Sequence, residues 1–140
     1  VTLVRRFNRF YTRRIRVLDQ GHLHSPFSLP EVRLLYEIAH RDEPTATELA
    51  RSLDLNPGYL SRMLARLVRR GLVARRIPGQ DGRRRHLRLT RKGRKAFATL
   101  DTRATRQVAS LLRPLAAPER HRLVGAMQAI ERLLAPPEAA

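Results

Sequence analysis

Residues 45–76 read TATELARSLDLNPGYLSRMLARLVRRGLVARR, and residues 77–90 continue as IPGQDGRRRHLRLT. The spacing predicts two short helices, a strand, an arginine-loaded loop and a returning strand. Thr45 and Glu48 have the spacing of a capping box, in which a hydroxyl and a carboxylate satisfy each other's backbone N–H at a helix start. That helix turns Leu49, Ala50 and Leu53 inward. Asn56 then caps the next helix with Pro57 in its first turn, a pairing that suits an N-terminus. Leu60, Leu64, Leu67 and Val68 form its inner face, and Gly71 ends it. Gly58, Tyr59, Ser61, Arg62, Ala65 and Arg66 form its outer face.

Leu72, Val73 and Ile77 open the strand, and Leu87 alternates with Leu89 in the returning one. Gly79 and Gly82 give the turn a permissive backbone, and Asp81, Gly82, Arg83, Arg84 and Arg85 make its tip. Such a unit can set a helix in one groove of a DNA duplex and a loop tip in the next. The low bulk of Pro57 and Gly58 allows close approach to a groove floor, with free N–H groups that favour phosphate. Arg62 has the reach for a guanine edge. Thr45 and Thr47 are candidates for contacts to the DNA backbone. Arginine inserted in a narrow minor groove is favoured by its negative potential, and Asp81 has the position to hold Arg83 in one rotamer. The plainer alternatives are that Arg62 and Arg66 solvate an exposed face and that Asp81 is an ordinary turn residue.

Composition agrees with a polyanionic partner. There are 29 Lys plus Arg against 12 Asp plus Glu, a net charge of +17 on 140 residues. Of the basic residues 27 are arginine, whose planar fork suits phosphates and guanine edges; a GC-rich genome would enrich arginine too. No apolar run approaches the ~20 residues of a membrane span, and no signal-peptide pattern is present. The absence of cysteine excludes disulfides and thiol switches and is compatible with a reducing cytoplasm. The chain starts at Val1 rather than Met, as a fragment or trimmed chain would.

Working outward, Ser28 and Glu31 form a second capping-box pattern ahead of a helix with Val32, Leu35, Ile38 and Ala39 as its inner face. At the front, Leu3, Phe7, Phe10, Tyr11, Ile15 and Leu18 make an apolar seam, interrupted by Arg14, with arginines between. At the back, Val108, Leu111, Leu112 and Leu115 close one helix. Leu123, Val124, Met127, Ile130 and Leu134 line another, started by Pro118 and stopped by Pro136 and Pro137. These seams need cover, either from each other or from a second copy. The expected architecture is mainly helical with a small β-wing, a winged helix-turn-helix of six helices. It is a single domain over residues 1–140, with the winged unit at 28–90 and dimerisation helices at 1–20 and 108–135. A two-fold homodimer would mirror a pseudo-palindromic site; the plainer readings are a monomer core or a basic helix on a membrane surface.

In this order the residues resemble the MarR family of winged helix-turn-helix regulators. The resemblance rests on the capped helices, RGLVARR, the D-x-R wing at Asp81 and Arg83, and LT-x-x-G at Leu89, Thr90 and Gly93. It implies a homodimer on double-stranded DNA, with Arg83 in the minor groove, Asp81 orienting it, and the helix from Pro57 in the major groove. Arg84, often small in the family, and Arg85, commonly apolar, depart from the pattern and imply a wing that grips backbone more and reads sequence less. RRFNRFYTRRI followed by SPFSLPEVRLLYEIAHR further resembles the regulator half of proteins that fuse such a domain to a GNAT-type N-acetyltransferase, a second domain for which these residues leave no room.

The resemblance also implies release from DNA by a small aromatic or phenolic acid, for which Phe7, Phe10, Tyr11, Phe27 and Tyr36 are the candidate pocket residues. No metal set is expected, because His22 and His24 form a lone pair and His40, His86 and His121 are scattered. No cofactor and no enzymatic activity are expected, since no phosphate loop, activated nucleophile or paired acids appear. The expectation is a cytoplasmic, nucleoid-associated regulator that is not an enzyme. The rival is a basic module that coats DNA without sequence preference or docks a larger protein on it.

Overall fold

The computed structural model describes residues 1–19, 25–76 and 86–135, with the side chains of 15–19 outside the description. The expectations for Ile77, Gly79, Asp81, Gly82, Arg83, Arg84, Arg85, His22, His24, Pro136 and Pro137, and for the side chains of Ile15 and Leu18, therefore lie outside the described residues. Along the chain run α1 (Thr2–Asp19), α2 (Leu29–His40), α3 (Ala46–Ser52), α4 (Pro57–Arg69), β1 (Val73–Arg76), β2 (His86–Leu89), α5 (Arg91–Leu112) and α6 (Ala117–Leu134). This is the winged-helix arrangement, mainly helical with one antiparallel strand pair among the described residues. Two compact units divide it, Val1–Ala104 and Thr105–Ala140.

In the first unit the core is aliphatic. Leu34, Leu35, Leu49, Leu60, Met63, Leu64 and Leu67 are almost wholly buried, joined by Leu72, Val73, Leu87 and Leu89 from the sheet side. On α4, Leu60, Met63, Leu64 and Leu67 form a regular i, i+3, i+4, i+7 stripe. The sequence reading placed Val68 on that face and missed Met63. Val68 flanks the stripe and is half-buried. On α2 the stripe runs through Glu31, Leu34, Leu35 and Ile38. Ala39, expected inside, is exposed and Val32 half-buried, because both stand a quarter-turn off that stripe.

Both capping boxes form. Ser28 N donates to Glu31 Oε2 at 2.9 Å and Thr45 N to Glu48 Oε2 at 2.7 Å, while each hydroxyl accepts from the backbone three residues on. Asp54 carries the α3–α4 turn at φ 52, in the left-handed region that aspartate tolerates better than most side chains. The strands pair from Val73↔Leu89 to Arg76↔His86. A third short segment joins β2 at its other edge, where Leu87 N donates to Pro44 O at 2.9 Å and Thr45 bridges His86. No sequence signal marked that pairing.

α1 lies with its apolar seam in the open: Leu3, Val4, Phe7, Phe10 and Tyr11 are all exposed. Phe7 and Tyr11 stack one turn apart with centroids 5.6 Å apart. In the second unit α6 buries no residue, and Val124, Met127, Ile130, Leu133 and Leu134 stay open to solvent, as do Val108 and Leu111 on α5. Among the described residues no helix is long and apolar enough to cross a membrane.

Candidate nucleic-acid interface

α4 presents an open face whose first turn is small. Asn56 Oδ1 accepts from Gly58 N at 2.9 Å and Tyr59 N at 3.2 Å. Pro57 has no N–H, so the donors that the sequence reading offered to phosphate at this helix start are already used by the cap. Any anion near this end must be met by side chains. Ser61 and Arg62 are exposed, whereas Tyr59 and Ala65 are half-buried, and Tyr59 packs against the core. Arg62 reaches back over the first turn: a Cβ built on Gly58 would stand 3.7 Å from its Nη1 and 3.1 Å from Asn56 Oδ1. Asn56, Pro57, Gly58, Ser61 and Arg62 are thus gathered at one helix end, with a guanidinium over a nearly bare backbone.

Beside it, Thr47 and Arg51 of α3 stand on a groove of about 420 Å³ whose other wall includes Pro57 and Leu60 of α4. Thr45 is less free than Thr47, since its hydroxyl caps α3 and its backbone bridges β2. Arg66, one turn beyond Arg62, differs in kind. Its Nε lies 3.5 Å from Glu31 Oε1, and only about half of its side chain is exposed.

The stem of the wing is tied to the α2–α3 loop. Arg76 Nη1 pairs with Glu43 Oε1 at 3.1 Å, and His86 Nδ1 stands 2.6 Å from Glu43 O. With Nδ1–H donating to that carbonyl, the imidazole fixes the start of β2, a role the sequence reading did not give His86. Arg75, Arg76 and Arg88 remain exposed on the stem. The tip with Asp81, Gly82, Arg83, Arg84 and Arg85 lies outside the described residues.

A dense knot joins the end of α4 to the start of α5. Thr90 Oγ1 donates to Gly71 O at 2.6 Å and accepts from Gly93 N at 3.0 Å, while Thr90 N donates to Leu72 O at 3.0 Å. Lys92 Nζ adds a bond to Arg70 O at 2.8 Å, and Gly71 turns the chain at φ 71. These bonds set where the stem leaves α4.

Among the described residues, the five expected pocket residues are not brought together around one cavity, and Phe10 is exposed on α1 with Arg14 over its ring. Phe7 and Tyr11 stack on α1, Phe27 is buried in the core under the Arg70 guanidinium, and Tyr36 stacks on His40 at 4.0 Å beside Phe97. A separate groove of about 440 Å³ opens next to that last cluster, lined by Ile38, His40, Leu87, Arg88, Arg94 and Phe97 among others. Among the described residues no group of His, Cys, Asp and Glu could hold a metal ion.

Residues 25–84 match the MarR family model. Solved structures share the fold across nearly the whole chain. A MarR mutant from E. coli superposes with a TM-score of 0.78 at 24% identity, covering 93% of this chain and 96% of that one. FabT of Streptococcus pneumoniae, in complex with DNA, gives 0.82 at 21% identity, covering 94% of this chain and 96% of that one. The S. aureus MepR–DNA complex gives 0.71 at 19%, covering 91% and 93%. No curated protein sequence matches the chain.

Proposed function

We propose, from the premise that residues 25–84 are a MarR-family segment carried on the MarR-type winged fold, that the chain is a sequence-specific DNA-binding transcriptional regulator acting as a homodimer in the cytoplasm. The observation that carries this is the start of α4, where Arg62 stands over the small outward Pro57–Gly58 step, next to exposed Ser61 and Thr47. That geometry fits a major groove, with Arg62 as a bidentate donor to guanine. Arg83, oriented by Asp81, is assigned to the minor groove, with Arg84 and Arg85 adding grip on phosphates. Two of the similar structures are DNA complexes, which supports the partner.

The homodimer is supported by the open apolar faces of α1 and α6. Phe7, Phe10 and Tyr11 on one, and Val124, Met127 and Ile130 on the other, leave more apolar surface open to water than scattered exposed residues would. A second copy would cover them and set two recognition helices on one face of a duplex. Selection of bound duplexes from a random pool at about 150 mM salt, a condition in which phosphate-only binding fades, should enrich a pseudo-palindrome with half-site centres ~10 bp apart. The protein should sediment as a dimer in the same buffer. A recovered pool without sequence preference would instead make the chain a coating or docking module.

The effector is assigned to the chemistry of a small aromatic acid. Its proposed seat is the groove at Ile38, Leu87 and Phe97, with Arg88 as the carboxylate partner and Tyr36 reached through its stack on His40. Arg41 and Arg94 are already engaged, by Glu37 and Leu89 O respectively, which leaves Arg88 as the accessible fork. Salicylate or benzoate should release the selected duplex from the wild type and not from Arg88→Ala. Equal release from both would move the seat elsewhere, and no release from either would remove this class of effector.

A further inference from the structure

Glu31 is the one charged residue that is buried among the described residues, at 6% exposure. It closes the α2 cap through Oε2, and a cap alone does not need such burial. Behind it stand two arginines from the far end of α4: Arg66 with Nε 3.5 Å from Oε1, and Arg70 with Nη1 4.0 Å from Oε2. Arg70 is further held by the Phe27 ring, 4.4 Å below its guanidinium carbon, and by Pro26 O at 3.4 Å. Arg66 has no such second tether among the described residues. It stands on the same face of α4 as Arg62, one turn on, with half its side chain in solvent.

We infer that Glu31 is a positioning residue for DNA binding, holding Arg66 by its Nε edge so that the two terminal nitrogens meet a backbone phosphate. This deepens the DNA-binding reading and rests on it. Because Nε is the nitrogen nearest the carboxylate, Nη1 and Nη2 are left for an outside anion, and a guanidinium fork matches phosphate through that edge. A fixed fork loses less rotamer freedom on binding than a free arginine does. Arg66 then contributes grip and register, while base reading stays with Arg62.

The test is a double-mutant cycle on a mixed-sequence duplex at low salt, since a phosphate contact does not depend on sequence. Glu31→Gln keeps an acceptor for the Ser28 cap and raises the net charge by one, which on charge alone would tighten binding. The inference expects weaker binding instead, by about three- to five-fold, the range for a half-exposed ion pair. In an Arg66→Ala background the same change should have an effect of less than about 1.5-fold. Ser28→Ala serves as the structural comparison: it breaks the cap without touching the carboxylate pair, and should lower the melting temperature while leaving affinity near the wild type. Tighter binding by Glu31→Gln, an additive cycle, or equal losses for Ser28→Ala and Glu31→Gln would each overturn the positioning role. If the wild type binds no duplex at all, the DNA reading falls and this inference with it; if it binds and the cycle is additive, the inference alone falls.

Discussion

Gly93→Ala is expected to remove a large share of the winged unit's stability. A Cβ at this position would stand 1.9 Å from Leu72 O and 2.9 Å from Leu72 C. Both are backbone atoms, so no side-chain rotamer can relieve the clash. The start of α5 would have to move away from the α4–β1 turn, and Thr90 would lose its bonds to Leu72 O and Gly71 O. Overpacking costs ~1–3 kcal/mol and each lost hydrogen bond ~1 kcal/mol, so the expected loss is about 3–5 kcal/mol. Against a typical stability of ~5–15 kcal/mol that is a large share, and for a chain of this size it corresponds to a fall of roughly 10–20 °C in Tm. Thermal melts followed by circular dichroism measure it. Gly125→Ala on α6 is the comparison: nothing lies within 4 Å of its added Cβ, and helix propensity favours alanine by up to ~1 kcal/mol. A loss below about 1 kcal/mol for Gly93→Ala would mean that α5 can slide, and that the Thr90 knot does not fix the stem.

The second large effect concerns specificity. Arg62→Ala should cost ~1–3 kcal/mol of discrimination in each half-site and relax preference at one position of it, leaving the other positions unchanged. Arg62 carries this expectation because its guanidinium is unpaired among the described residues and lies over the Gly58 turn, where the helix can come closest to a groove floor. Repeating the random-pool selection with the variant reads the effect directly. Arg83→Ala supplies the contrast: a loss of affinity that is uniform across sequences, with a salt slope smaller by about one for each wing. If Arg62→Ala gives that same uniform loss, α4 grips phosphate only and the assignment of base reading to it is wrong.

The two effects draw on different kinds of information. Arg62 could be found from the sequence, because a helix start, its cap and its outer face are local matters. Gly93 could be found only through the family resemblance at Leu89, Thr90 and Gly93; its physical reason is the close approach of Leu72, a residue on the far side of the hairpin. Glu31 is intermediate. Its spacing from Ser28 announced a cap, but nothing in the spacing announced two arginines from another helix.

The sequence by itself determined whatever is settled within about four residues. The capping boxes at Ser28 and Thr45, the Asn56–Pro57 start and the Gly71 stop all formed as read, because each depends on a side chain meeting a backbone group in its own turn. The tertiary structure decided which rotation of α2 faces inward, putting Leu34 inside and Ala39 outside, because several apolar stripes can be drawn on a short helix and only packing selects one. It decided that Pro44 and Thr45 add a third segment to the sheet, and that Tyr36 joins His40 and Phe97 rather than Phe7 and Tyr11. It also decided that Glu31 lies between Arg66 and Arg70. Apart from the Tyr36–His40 stack within α2, these contacts join residues tens of positions apart, and no local periodicity encodes them, since which distant groups meet is chosen by how the whole core closes.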